Sequence, residues 1–344
     1  MTKHIGRSIL TLSLALLLVL SAIPFACAEE ETECPFSLFV YDLPKGIKKP
    51  NEQAGIVHEE HYTAHRYSPE GEALEERDGV LYVYTPYGYD PNGEYDVIYL
   101  MHGAGETGGF WLSQAEYAPG GEKYNKAQCT VPTNITDNRI AAGECKPVIL
   151  VAMTFLNQYG EGEDLYAQGS TLKLQGFAYE FRNEIVPCVE AKYATYAHGD
   201  VSPESLTASR EHRAYAGFSM GSMTGWQAIW TGCVDYVAYI GNFSGCDTQG
   251  DGAAERAAEA LNTKFADYGI KYWYNGNGTE DSLHDDHVAG YQLMLEKCPG
   301  RFTEGEDYAN GCNTIFVDKP GKKHNYANWN VDLYNILSVF FKAN

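Results

Sequence analysis

The pentapeptide Gly217-Phe218-Ser219-Met220-Gly221 has the G-x-S-x-G spacing of a serine nucleophile held in a tight strand-to-helix turn. Glycines are needed at the flanking positions because a side chain there would run into the neighbouring strand or helix. Attack on an ester or amide carbonyl leaves a negative charge on its oxygen, and backbone N–H groups are the usual donors to that charge. Met220 directly follows the serine and would supply one such donor at a helix N-terminus. The other is expected in the loop His102-Gly103-Ala104-Gly105, with Ala104 the first choice and Gly105 the second. His102 itself reads as a residue that fixes the loop through its ring nitrogens, not as a proton carrier.

Such a serine needs a general base, and triads of this kind run in chain order Ser, Asp or Glu, His. Only His284, His287 and His324 follow Ser219. His324 sits after an apolar run and the turn Asp318-Lys319-Pro320-Gly321, where the base is needed. The orienting acid belongs to the segment 275–287, which offers Glu280, Asp281, Asp285 and Asp286. Asp281 is nearest the end of the preceding strand and is the first choice. Asp285 and Asp286 suit the first turn of the next helix, where carboxylates complement the dipole. The histidines of His58-Glu59-Glu60-His61 and His65 lack the H-e-x-x-H spacing of a zinc protease, and His284-x-x-His287 reads as a solvated helix start. No metal and no cofactor is assigned. Phe110 and Trp111 directly follow the oxyanion loop and are expected to touch substrate.

These groups have to be positioned by the rest of the chain. The segments Val97–Met101, Val148–Met153, Ala214–Phe218, Val237–Ile240, Lys271–Tyr274 and Thr314–Val317 are short apolar runs ending in turns, as in strands buried on both faces. Helix-compatible stretches lie between them, including Gly176–Tyr193, Ser222–Trp230, Ala253–Tyr268 and Asn330–Phe341. The alternation implies an α/β fold, a doubly wound and mostly parallel sheet with helices on both faces. Functional groups then collect at the carboxyl ends of the strands. The region 34–92 reads as an N-terminal β-rich extension with an antiparallel hairpin. No repeat or linker marks a second module.

The chain has 344 residues, 44% of them hydrophobic, and a net charge of −21 from 25 basic and 46 acidic side chains. That field opposes phosphate-rich partners and argues against nucleic acid binding. Lys3, His4 and Arg7 precede an apolar stretch from Ile9 to Leu20 and the small-residue site Ala26-Cys27-Ala28. Residues 1–28 therefore read as a secretory signal peptide, leaving 29–344 as a single extracellular domain with no membrane attachment after cleavage. The alternative, a lipoprotein beginning at Cys27, fits poorly with Pro24 and Phe25. Eight of the nine cysteines remain after cleavage, and an exported chain suggests disulfides. The expected pairs are Cys129–Cys145, Cys233–Cys246, Cys298–Cys312 and, over long range, Cys34–Cys188.

Several stretches together resemble the feruloyl esterase domains of bacterial xylanases, in the esterase-D-like branch of the α/β-hydrolases. They are Tyr87-Gly88-Tyr89-Asp90-Pro91-Asn92, Ile98 to Gly103, Ala208-Ser209-Arg210-Glu211-His212-Arg213 leading into the serine pentapeptide, Cys233 to Tyr239, and Pro320-Gly321 before His324. The resemblance runs from about Tyr82 to Phe341. It implies Ser219 as nucleophile, His324 as base and Asp281 as acid, acting on feruloyl or other hydroxycinnamoyl esters of cell-wall xylan and its oligosaccharides. The acid loop is longer and more acidic than the family pattern. Alternatives within the fold are an acetylxylan esterase and an acyltransferase; from another class, a non-catalytic sugar-binding relative.

Overall fold

The computed structural model describes residues 38–112 and 130–342. Eight strands form one sheet in the order β1-β2-β4-β3-β5-β6-β7-β8. The hairpin of β1 (Ile56–Tyr67) and β2 (Ala73–Thr85) is antiparallel, and β2 joins the sheet antiparallel to β4 (Val148–Met153). The rest are parallel: β3 (Asp96–Met101), β5 (Arg213–Phe218), β6 (Tyr239–Phe243), β7 (Tyr272–Gly278) and β8 (Thr314–Lys319). This is the α/β-hydrolase arrangement. The β-rich extension is thus the edge of the main sheet itself.

Alternation along β3 shows why its whole run is apolar. Val97, Tyr99 and Met101 enter the core on one face, and Ile98 and Leu100 enter the core on the other. The first core includes Trp226, Trp230 and Trp273 together with Ala257 and Leu261 of α3 (Ala253–Asn262). The second is closed by Leu333, Ile336 and Leu337 of α5 (Tyr326–Val339). α1 (Val131–Ala141) lies on the α5 face: its Arg139 guanidinium donates to the Tyr334 carbonyl at 2.7 Å.

The element boundaries differ from the apolar runs where backbone or polar contacts intervene. β6 begins at Tyr239 because the N–H groups of Tyr236 and Val237 turn back onto the Cys233 carbonyl. β7 continues through the polar Asn275-Gly276-Asn277-Gly278 because its asparagines find partners: Asn275 meets Ile315 O and the His287 ring. A Cβ on Gly276 would fall 1.9 Å from Asp332, so only glycine fits there. α5 starts four residues before the expected Asn330 because Asn325 caps it, accepting the Asn328 N–H at 3.1 Å.

The Ala208–Arg213 motif lies at the end of β5 away from Ser219. Arg210 donates to the carbonyls of Val234, Val237 and Gly269, and Arg213 pairs with buried Glu190 and binds the Leu206 and Tyr236 carbonyls. It braces the connections beneath the sheet.

The expected disulfides need correction. Cys145, Cys188, Cys233, Cys246, Cys298 and Cys312 are all free thiols. Cys233 and Cys246 flank β6, whose five residues extend about 17 Å, whereas bridged Cα atoms lie within about 7 Å. The Cys298 thiol points to the Ala258 carbonyl and the Cys312 thiol to the Glu304 carbonyl. In the other two pairs Cys145 and Cys188 are free, and Cys129 and Cys34, like residues 1–28 with the expected signal peptide, lie outside the described residues.

Candidate active site

Ser219 stands between β5 and α2 (Met220–Thr224) with φ 54° and ψ −123°, a strained conformation for a residue with a side chain. Its N–H is held by the Phe243 carbonyl at 2.9 Å, and its carbonyl accepts the Met223 N–H at 3.0 Å. The turn depends on its glycines. A Cβ on Gly217 would lie 2.6 Å from the Gly221 backbone, and one on Gly221 would lie 2.6 Å from the His102 carbonyl oxygen.

His324 Nε2 lies 2.9 Å from Ser219 Oγ, and His324 Nδ1 lies 2.9 and 3.0 Å from the Asp281 oxygens. The imidazole meets the edge of Trp329, centroids 5.0 Å apart, and Trp329 stacks on Phe218 at 3.7 Å. Burial would raise the Asp281 carboxyl, but hydrogen bonds from His324 and the Leu283 N–H outweigh it and hold the group below its ordinary value. The other carboxylates lie elsewhere. Asp285 is exposed beside His284, Glu280 pairs with Lys323, and Asp286 binds the N–H groups of Cys246 and Asp247 from α4 (His284–Lys297). Among the described residues no three His, Cys, Asp or Glu side chains are grouped to hold a metal ion.

A cleft of about 400 Å³ opens over Ser219. Ala104 and Met220 line it beside the serine, whereas Gly105, at φ 74°, lies outside the lining and turns the loop behind Ala104. His102 is buried under this loop. Its Nδ1–H donates to the Gly103 carbonyl, its Nε2 accepts the Thr154 hydroxyl, and burial pushes its pKa down to about 4. Glu106 accepts the Gly103 N–H at 3.2 Å and the Tyr326 hydroxyl at 2.6 Å, joining the loop to the start of α5.

Trp111 does not reach the cleft. Its N–H bonds to the Gly108 carbonyl in a short helical turn that sends the ring inward against Phe218, fully buried. Phe110 is half-buried and stacks near Tyr326 at 6.4 Å. The walls are instead Leu165, Tyr166, Thr171, Met223, Gln249 and Leu283. Most sit in loops after β4, β6 and β7, so the rule that sites gather at carboxyl ends of strands was the signal that could have found them.

The Esterase family model ("Putative esterase") matches residues 72–338. The chain belongs to this esterase family. The esterase is 32% identical over 323 residues to endo-1,4-beta-xylanase Y of Acetivibrio thermocellus, covering 90% of this chain and 26% of that protein. It therefore spans about a quarter of that relative's length. A feruloyl esterase module from Clostridium thermocellum, solved with sinapinate, superposes with TM-score 0.70 at 30% identity, covering 90% of this chain and 96% of that one. A ferulic acid esterase from Anaeromyces mucronatus shares the fold, with TM-score 0.63 at 19% identity over 89% of this chain and 99% of that one.

Proposed function

We propose that the esterase is a secreted serine hydrolase that releases feruloyl or other hydroxycinnamoyl groups from xylan and its oligosaccharides. The observation that carries this reading is the continuous hydrogen-bonded chain from Ser219 Oγ through His324 to Asp281 at the cleft. Ser219 attacks the ester carbonyl as His324 Nε2 takes its proton. Asp281 holds the imidazole in the tautomer that leaves Nε2 free to accept. The N–H groups of Met220 and Ala104 receive the developing oxyanion. His324 gives the proton to the leaving sugar oxygen, which departs as the alcohol and leaves the acyl group on Ser219, and then activates water to release the acid.

The cleft volume lies within the usual range for small-ligand sites, and an acetyl group would fill only a fraction of it. Its apolar Leu165, Tyr166, Met223 and Leu283 suit a planar aryl acid, which favours ferulate over acetate. The names of the xylanase Y and feruloyl esterase relatives support the same choice. Residues 1–28 support export. The test is hydrolysis of methyl ferulate and feruloylated xylo-oligosaccharide by purified enzyme, with Ser219→Ala reduced by about three orders of magnitude or more. No turnover of either ester by the wild type would overturn the reading.

A further inference from the structure

We infer that Gln249 is a positioning residue for acyl selectivity, holding a wall of the cleft on which Tyr166 presents its ring to an aromatic acyl group. This rests on the esterase reading above. The carboxamide of Gln249 directs its hydrogen bonds to one short segment. Oε1 accepts the Gly169 N–H at 2.8 Å and lies 3.2 Å from Thr171 Oγ1, while Nε2 donates to the Ala167 carbonyl at 3.0 Å and to Ser170 Oγ at 3.2 Å. The segment comes from the loop after β4, some 80 residues away in sequence. The Thr171 hydroxyl proton goes to Asp251 at 2.5 Å, and Asp251 is itself held by Gln227 and Arg256.

Within this bonded loop, Leu165, Tyr166 and Thr171 all face the cleft, and Gln249 faces it from the opposite loop. Tyr166 is 73% exposed, more than any other large hydrophobic side chain among the described residues. A ring left in water at the rim of a cleft offers a flat surface that an aryl acid can cover and an acetyl group cannot. Unpinned, the loop would carry that ring out of register and selectivity would fall while the Ser219–His324–Asp281 contacts stood.

The experiment compares methyl ferulate with methyl acetate, which share a leaving group and differ only in the acyl part. Tyr166→Ala and Gln249→Ala should each lower the ferulate-to-acetate ratio of kcat/KM about threefold to tenfold, chiefly through KM for ferulate. Tyr166→Phe should keep the wild-type ratio. The double variant should lose little more than either single change, because Gln249 acts through the ring. Equal losses on both esters, or fully additive losses, would overturn the inference. A wild type inert on methyl ferulate would instead defeat the esterase reading itself, so the two failures are distinguishable. Exposed Tyr166 provides a test even if the Gln249 change impairs folding.

Discussion

His324 Nδ1 stands almost equidistant from the two oxygens of Asp281, at 2.9 and 3.0 Å, so the imidazole is held with its other nitrogen toward Ser219. Asp281→Asn replaces one acceptor oxygen by a donor and favours the wrong tautomer. Turnover of methyl ferulate should fall by about three to four orders of magnitude. Asp285→Asn and Glu280→Gln, whose carboxylates pair with His284 and Lys323, should change it less than about twofold. An inactive Asp285 variant would mean that the acid has been misassigned.

The Ser219 backbone supplies a second prediction. At φ 54° a side chain is strained, and strain of this kind costs about 1 to 3 kcal/mol. Ser219→Gly and Ser219→Ala both remove the hydroxyl and its bond to His324, but only glycine relieves the backbone. The greater unfolded-state freedom of glycine offsets about 0.5 to 1 kcal/mol of that gain. Ser219→Gly should therefore remain the more stable of the two by about 1 kcal/mol, read as a higher midpoint in urea unfolding. An alanine variant more stable than the glycine variant by about 0.5 to 1 kcal/mol would show that the turn stores no strain.

Much of the fold and of the site is legible in the sequence. A parallel strand covered on both faces has to be apolar throughout, so β3, β4 and β5 appear in the sequence as unbroken runs. The tight turn between β5 and α2 has to carry small flanking residues, so Ser219 appears with its glycines. The cleft wall carried no such signature: residues 156–176 have no strand or helix period, and Gln249 pins them through contacts 78 to 82 residues apart. Trp111 misled because adjacency to a loop says nothing about rotation, and one helical turn buried the ring. The cysteine pairs misled for a related reason: closeness along the chain ignored the strand standing between Cys233 and Cys246.

A third prediction follows from those thiols. Burial raises the pKa of Cys233 to about 12 and also raises Cys246 and Cys298, keeping them protonated and unreactive at neutral pH. Titration with a thiol reagent under denaturing, non-reducing conditions should find at least six reactive groups per chain. The folded protein should leave Cys233, Cys246 and Cys298 unlabelled. Fewer than six after unfolding would require a disulfide that this arrangement does not contain.

The last prediction concerns Glu180, whose carboxylate is fully buried between the edge hairpin and the loop after β4. Oε1 accepts the Tyr62 hydroxyl at 2.7 Å and the Asn157 amide at 2.6 Å, and Oε2 accepts the Gln158 amide at 2.6 Å. Burial pushes its pKa up to about 7, outweighing those three donors, with the charge of Glu184 adding to the rise. In the unfolded chain it titrates near 4.5. Between those values the native state binds more protons than the unfolded state, so stability must fall as pH rises through the window and level off above it. A shift of that size corresponds to a few kcal/mol at most. Other raised groups, including His61 and His284, contribute with the same sign, so the wild-type slope alone does not isolate Glu180. Glu180→Gln carries no titrating proton, and its melting temperature should vary less between pH 5 and 7 than that of the wild type, whatever its absolute stability. Parallel curves for the two proteins would mean that Glu180 is already ionised across the range, with its three donors outweighing the cost of burial.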